Sequence, residues 1–158
     1  MKIDCIIDSK TLTLSLNSNK PLSLILMENI GNDTVNCAGS FNPETIVLLN
    51  GVPTISSLVP AFECDGKEIT TFESFRVSKQ MKELEHAYET VGVHPCLDCN
   101  PSRSMLLDYL ASEGIDDPAV LKKELSILPC SCIDLNDQVE IVRKLIEFRR
   151  NKQRVRRS

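Results

Sequence analysis

Four of the seven cysteines in this 158-residue chain come as two tight pairs. Cys96 and Cys99 form a C-x2-C in "GVHPCLDCNPSRSMLLDYL", and Cys130 and Cys132 form a C-x-C in "LPCSCIDLNDQVEIVRKLIEF". Each pair leads into a stretch with helical spacing. Two sulfurs this close in sequence can face one metal centre, and two such pairs complete a tetrahedral or cluster-bridging set. A helix entrance adds free N–H groups and the positive end of the dipole, both of which favour thiolate over thiol. The pattern therefore predicts a site built between two facing helix N-termini. Zinc and iron–sulfur both accept four cysteines, and the spacing does not choose between them. C-x-C is less typical of structural zinc than C-x2-C, which tilts the reading toward iron–sulfur. The bland alternative is four thiols with no metal.

That reading needs a reducing compartment. The start "MKIDCIIDSK" lacks the basic opening and long apolar run of a secretory leader, since Asp4 and Asp8 interrupt it. No segment has the apolar length of a membrane span. The expectation is a cytoplasmic chain, where clustered cysteines more often serve metal or redox chemistry than disulfides.

The hydrophobic period changes along the chain. Over the first 76 residues it reads as strands and turns. "KIDCIID" and "TLTLSLN" flank Asp8-Ser9-Lys10 as a hairpin, "PLSLILMENIG" has helical spacing up to Gly31, and Asn50-Gly51 is a hairpin signal between "TIVLL" and "VPTIS". Asp65-Gly66 is a further tight turn. The order strand–strand–helix–strand–strand suggests a small α+β roll. The junction falls in "TFESFRVSKQ". From residue 77 to 148 the period is helical, giving four amphipathic helices and a compact bundle. Their starts carry Ser78, Pro101 and Pro118, and Gly92 and Gly114 mark two of their ends.

Residues 149 to 158 form a basic tail with six Lys or Arg and no acid, which leaves a net charge of −10 in the preceding 148 residues. Against a body this acidic and poor in aromatics, the tail reads as a frayed, solvated end able to meet an acidic partner, and not as a nucleic-acid surface. The two histidines offer no catalytic set: His86 falls on a helix beside Tyr88 as a surface or packed residue, and His94 abuts the C-x2-C. Phosphate loops, dinucleotide fingerprints and nucleophile elbows are missing from the sequence.

Several stretches resemble the small iron–sulfur subunit of the molybdenum hydroxylases: xanthine dehydrogenases, aldehyde oxidoreductases and carbon monoxide dehydrogenases. They are "KPLSLILMENIG", "TIVLLNGVPTISSLVPAFECDGKEITTFES", "ELEHAYETVGVHPCLDCNPSRSMLL" and "LPCSC". The resemblance implies an N-terminal plant-ferredoxin-like β-grasp domain followed by a C-terminal four-helix bundle, each ordinarily holding one [2Fe-2S] cluster. It implies that Cys96, Cys99, Cys130 and Cys132 ligate the bundle cluster. It also implies a large molybdopterin-binding partner subunit, with FAD in a flavin subunit, and an electron-transfer role in which this chain performs no bond chemistry itself.

The departures are specific. A plant-type cluster needs C-x4-C-x2-C and a distant fourth cysteine. Counting from Cys37, the next two ligand positions hold Asn42 and Thr45, and the fourth aligns with Ser57. One cysteine cannot hold that cluster, so the expectation is a single [2Fe-2S] centre and a metal-free N-terminal domain. Cys5 and Cys64 fall in strand-like runs and read as small core residues. Around the bundle ligands, Pro95, Leu97, Asp98, Ser131 and Ile133-Asp134 replace the residues the family usually places there. Those changes leave open a second expectation: a structural or assembly subunit with a four-cysteine zinc site, or with no metal.

Overall fold

The computed structural model describes residues 1–16, 19–30 and 46–157. The expectations placed on Gly31, Cys37, Asn42 and Thr45 lie outside the described residues. The chain divides into two compact units, Met1–Arg76 and Val77–Ser158.

Alternation decides the first unit. In strand β1 (Lys2–Ile7) Ile3, Cys5 and Ile7 are buried while their neighbours face solvent, as a half-covered sheet requires. β1 pairs antiparallel with β2 (Lys10–Ser15) across Asp8-Ser9, whose φ values of 48° and 69° are those of a two-residue primed turn. β3 (Ile46–Leu49) and β4 (Val52–Ile55) repeat the device across Asn50-Gly51, at φ 49° and 81°. Between these hairpins lies β5 (Glu68–Thr70), parallel to β1 and antiparallel to β3, so the sheet order is β2-β1-β5-β3-β4. The Asp65-Gly66 turn closes onto β1: Gly66 N donates to Asp4 O at 2.7 Å, and Asp65 Oδ1 accepts from Asp4 N at 2.9 Å. Helix α1 (Leu22–Ile30) lays Leu22, Ile25 and Leu26 into a core shared with Ile3, Val47 and Ile69. Cys5 and Cys64 belong to that core. Cys64 closes a 3-10 turn (Ala61–Cys64) and is not in a strand, and burial pushes its thiol up to about 11. Ser57 lies in another such turn, Ser56–Leu58. Helix α2 is a single turn, Phe72–Phe75.

The second unit is helical. In α3 (Lys79–Val91) Ser78 Oγ accepts from Met81 N at 3.2 Å, and Gly92 ends the helix at φ 83°. Met81, Leu84, Ala87 and Tyr88 form its buried face. Helix α4 (Asn100–Ser112) starts with Pro101 in its first turn, and α5 (Pro118–Leu125) is capped by Asp117, whose Oδ1 accepts from Ala119 N at 2.9 Å. Helix α6 (Leu135–Arg157) packs against the other three through Val139, Ile141, Val142, Leu145 and Ile146. Its length corrects the expectation of a frayed end, because the basic residues continue the helix to Arg157. Arg, Lys and Gln are good helix formers, and no Gly or Pro interrupts them.

Arg149 binds α6 to its neighbours. It donates to Asp108 Oδ1 and, at 3.1 Å, to Ser112 Oγ of α4, and it lies 3.7 Å from Glu83 Oε2 of α3. Asp108 and Glu83 are each 12% exposed in their side chains. Burial raises the Asp108 carboxyl above its ordinary value, against the lowering effect of Arg149. Arg149→Met, which takes the cation from a largely buried Asp108 and leaves Glu83 to Lys152 at 3.4 Å, is expected to cost about 2 kcal/mol in urea unfolding. Asp108→Asn is expected to cost less than half of that.

Candidate metal centre

The C-x2-C is built onto the start of α4. Cys99 occupies the N-cap and is 8% exposed, and its carbonyl accepts from Arg103 N at 2.8 Å to begin the helix. Cys96 lies in the preceding turn, where its carbonyl accepts from Asn100 N at 3.0 Å. The C-x-C lies in the connection between α5 and α6. Leu128 and Ile133, 8% and 2% exposed, anchor that connection on either side of Cys130 and Cys132. Two apolar side chains thus present two sulfurs toward α4.

The four sulfurs converge. All four Sγ atoms lie within 4.8 Å of one another, although the pairs are more than thirty residues apart in sequence. Cys99 Sγ is 3.2 Å from Cys132 Sγ, and Cys96 Sγ is 3.5 Å from Cys130 Sγ. Cys96 N donates to Cys132 Sγ at 3.4 Å. An ion about 2.3 Å from each of four tetrahedral sulfurs would space them about 3.8 Å apart, so this donor set fits a metal. Burial decreases from Cys99 through Cys96 and Cys130 to the exposed Cys132, and Leu97 and Asp98 between the first two are exposed.

The helix-dipole expectation holds for one pair in position only. Asp134, not Cys132, caps α6: its Oδ1 accepts from Asn136 N at 2.7 Å and its carbonyl from Gln138 N at 3.0 Å. A carboxylate two residues on has taken the N–H groups the second pair was expected to use. Burial pushes the Cys99 thiol well up despite a lowering hydrogen bond from Arg103. Against the pull of the Cys132 N–H, burial and neighbouring sulfurs also hold Cys130 above its ordinary value. Cys132 moves the other way. Burial would raise it, but the Cys96 N–H and the adjacent thiols bring it down to about 7.

Two supporting residues escaped the sequence reading. Arg103 is fully buried; its Nε donates to Cys99 Sγ at 3.4 Å, Nη1 to Gln138 Oε1, and Nη2 to Cys130 O at 2.6 Å. Gln138, 2% exposed, also donates from Nε2 to Ile133 O at 2.9 Å. The signal was present: Arg103 follows Cys99 by four residues, one turn along the same helix face. Behind it, Tyr88 Oη and Ser104 Oγ lie 2.8 Å apart, and Ser104 donates to Asn100 Oδ1 at 2.7 Å. His86 packs on Phe148 with ring centroids 4.7 Å apart, and His94 is exposed.

No protein-family model matches the sequence, and no curated protein matches it significantly. Solved structures do match. Quinoline 2-oxidoreductase from Pseudomonas putida 86 aligns at TM-score 0.72 and 18% identity, over 96% of this chain and 96% of that one. Aldehyde oxidoreductase from Desulfovibrio desulfuricans ATCC 27774 aligns at 0.73 and 17% identity, over 95% of this chain. Aldehyde oxidoreductase from Desulfovibrio gigas aligns at TM-score 0.72 and 19% identity, over 96% of this chain. This chain shares their fold. It spans 17% of the length of each aldehyde oxidoreductase. The fold is α+β, and it carries a cysteine group able to hold a metal. Among the described residues, no helix is long and apolar enough to cross a membrane.

Proposed function

We propose that this chain is an iron–sulfur accessory subunit of a molybdenum-hydroxylase-like oxidoreductase, and that it holds one [2Fe-2S] cluster on Cys96, Cys99, Cys130 and Cys132. The observation that carries the metal centre in this reading is the convergence of four sulfurs from two distant loops to within 4.8 Å. The shared fold supports it, since both kinds of matched enzyme are oxidoreductases. In this reading the sheet with α1 is the β-grasp domain and the helices α3 to α6 are the cluster-binding bundle, with the boundary at Arg76 and Val77. The N-terminal domain then acts as scaffold without a cluster.

A bound [2Fe-2S] cluster would supply one-electron storage between a donor and an acceptor. The residues of the chain do the rest. Cys96 and Cys99 from the start of α4 and Cys130 and Cys132 from the α5–α6 connection would hold the cluster. Leu128 and Ile133 keep the second loop in place, and Cys99 lies farthest from water. Exposed Leu97, 85% accessible between the first two ligands, suits contact with a partner covering the site. A large molybdopterin-binding subunit fills that role, and a flavin subunit is the further electron carrier.

A single tetrahedral zinc is the second reading. It is favoured by the compactness of the sulfurs, because ligands shared between two irons must stand farther apart in pairs than ligands of one ion. Anaerobically purified protein is expected to be coloured and to carry about two irons and two acid-labile sulfides per chain. Colourless protein with zinc, or with no metal after reconstitution, overturns the first reading.

A further inference from the structure

The cysteine site contains a cation that ligation alone does not require. Arg103 is 0% exposed, and its three hydrogen-bond acceptors are a sulfur of the first pair, a carbonyl of the second pair and the amide of Gln138 at the start of α6. None of them is a carboxylate. A buried guanidinium is tolerated where opposite charge reaches it, and hydrogen bonds to neutral oxygens satisfy its geometry without balancing its charge. Of its three hydrogen-bond acceptors, the one able to carry that charge is Cys99 Sγ.

We propose that Arg103 is a positioning residue and fixed counter-cation of the cysteine site, clamping the two cysteine loops together and drawing its charge balance from the thiolates of a bound metal centre. This rests on the metal-centre reading above. Four thiolates around a divalent ion leave two negative charges over, and a guanidinium against Cys99 offsets part of them. The guanidinium is matched when metal is bound and under-compensated when the sulfurs carry protons. Arg103 therefore stabilises the loaded chain more than the metal-free one, which a purely structural arginine does not do. A one-electron reduction adds negative charge, and the same cation favours it.

The test uses the full chain with Co(II) as the probe, followed by its thiolate charge-transfer absorption, in the wild type and in Arg103→Met, Arg103→Gln and Arg103→Lys. The neutral variants are expected to weaken Co(II) binding by about tenfold or more, while Arg103→Lys stays closer to wild type. They should also lower the Tm of the Co(II)-loaded chain by more than that of the metal-free chain. In iron-loaded protein, Arg103→Gln is expected to lower the midpoint potential by at least 59 mV, the equivalent of tenfold in a one-electron constant. Co(II) affinity within twofold of wild type, with equal Tm losses in both forms, overturns the proposal. Loss of the fold in both neutral variants overturns it as well, because Arg103 would then serve the cohesion of the metal-free chain. Iron and sulfide content of the wild type decides the cluster separately: an iron-free chain whose Co(II) affinity falls in Arg103→Gln keeps this proposal and removes that reading.

Discussion

Replacing Cys99 with serine is expected to leave the chain folded and to lower its metal content by more than about tenfold, beyond the cost of losing a merely supporting contact. Cys99 is the most buried of the four sulfurs and lies 3.2 Å from Cys132 Sγ. It is also the N-cap of α4, where its own side chain makes no capping bond. Serine is close to cysteine in size and common at helix starts, and no capping bond of Cys99 is there to be lost. The hydroxyl is a poor ligand for a site of soft donors, and three thiolates do not close a tetrahedral set. Cys64→Ser is the control. Cys64 is fully buried in the core of the first unit, and its hydroxyl replacement is expected to cost about 1–2 kcal/mol while leaving metal content unchanged. Metal analysis and thermal unfolding of both variants separate the roles. Equal metal content in Cys99→Ser and wild type would remove the cysteine site from any reading of this chain.

What was legible in the sequence was the chemistry that acts locally. Asn50-Gly51 and Asp8-Ser9 turn where expected because positive φ is a property of a few residue types, and both turns need it at two positions. Ser78, Gly92 and Pro118 mark helix ends for the same reason: each satisfies or removes a backbone group within one turn. The convergence of the cysteines was readable as spacing. What the sequence hid is long-range or depends on facing. The parallel pairing of Ile6 with Glu68 joins residues more than sixty apart through a three-residue strand, too short for any period to announce. Helical periodicity identified apolar faces but not which charged side chain would turn inward, so Arg103 and Gln138 went unnoticed. The basic end was read by charge, which says where solvent goes and nothing about whether α6 continues. Asp134 shows a related limit. The spacing puts the second cysteine pair at the helix entrance, and the carboxylate two residues on sits at the position from which it reaches Asn136 N.

Gln138→Leu is expected to destabilise the metal-free chain by about 3 kcal/mol and to loosen the loop that carries the C-x-C. The amide does two things at once. Its oxygen accepts from the buried guanidinium of Arg103, and its nitrogen donates to Ile133 O at 2.9 Å. Ile133 is one of the two apolar anchors of that loop, so Gln138 ties the anchor to the arginine that contacts Cys99. Leucine fills a similar volume but leaves one charged donor and one carbonyl without these partners in a dry site. Urea unfolding gives the cost, and amide hydrogen exchange over residues 130–134 gives the local loosening. The coupling to Arg103 is the sharper measurement. Once Arg103 has been replaced by methionine, the amide oxygen of Gln138 has already lost its charged donor, and removing it costs less. The double variant should therefore be less destabilised than the sum of the two singles, by about 1–2 kcal/mol. Strict additivity would mean that the two side chains do not act as one clamp, and that the hydrogen bond between them contributes nothing to holding the cysteine loops together.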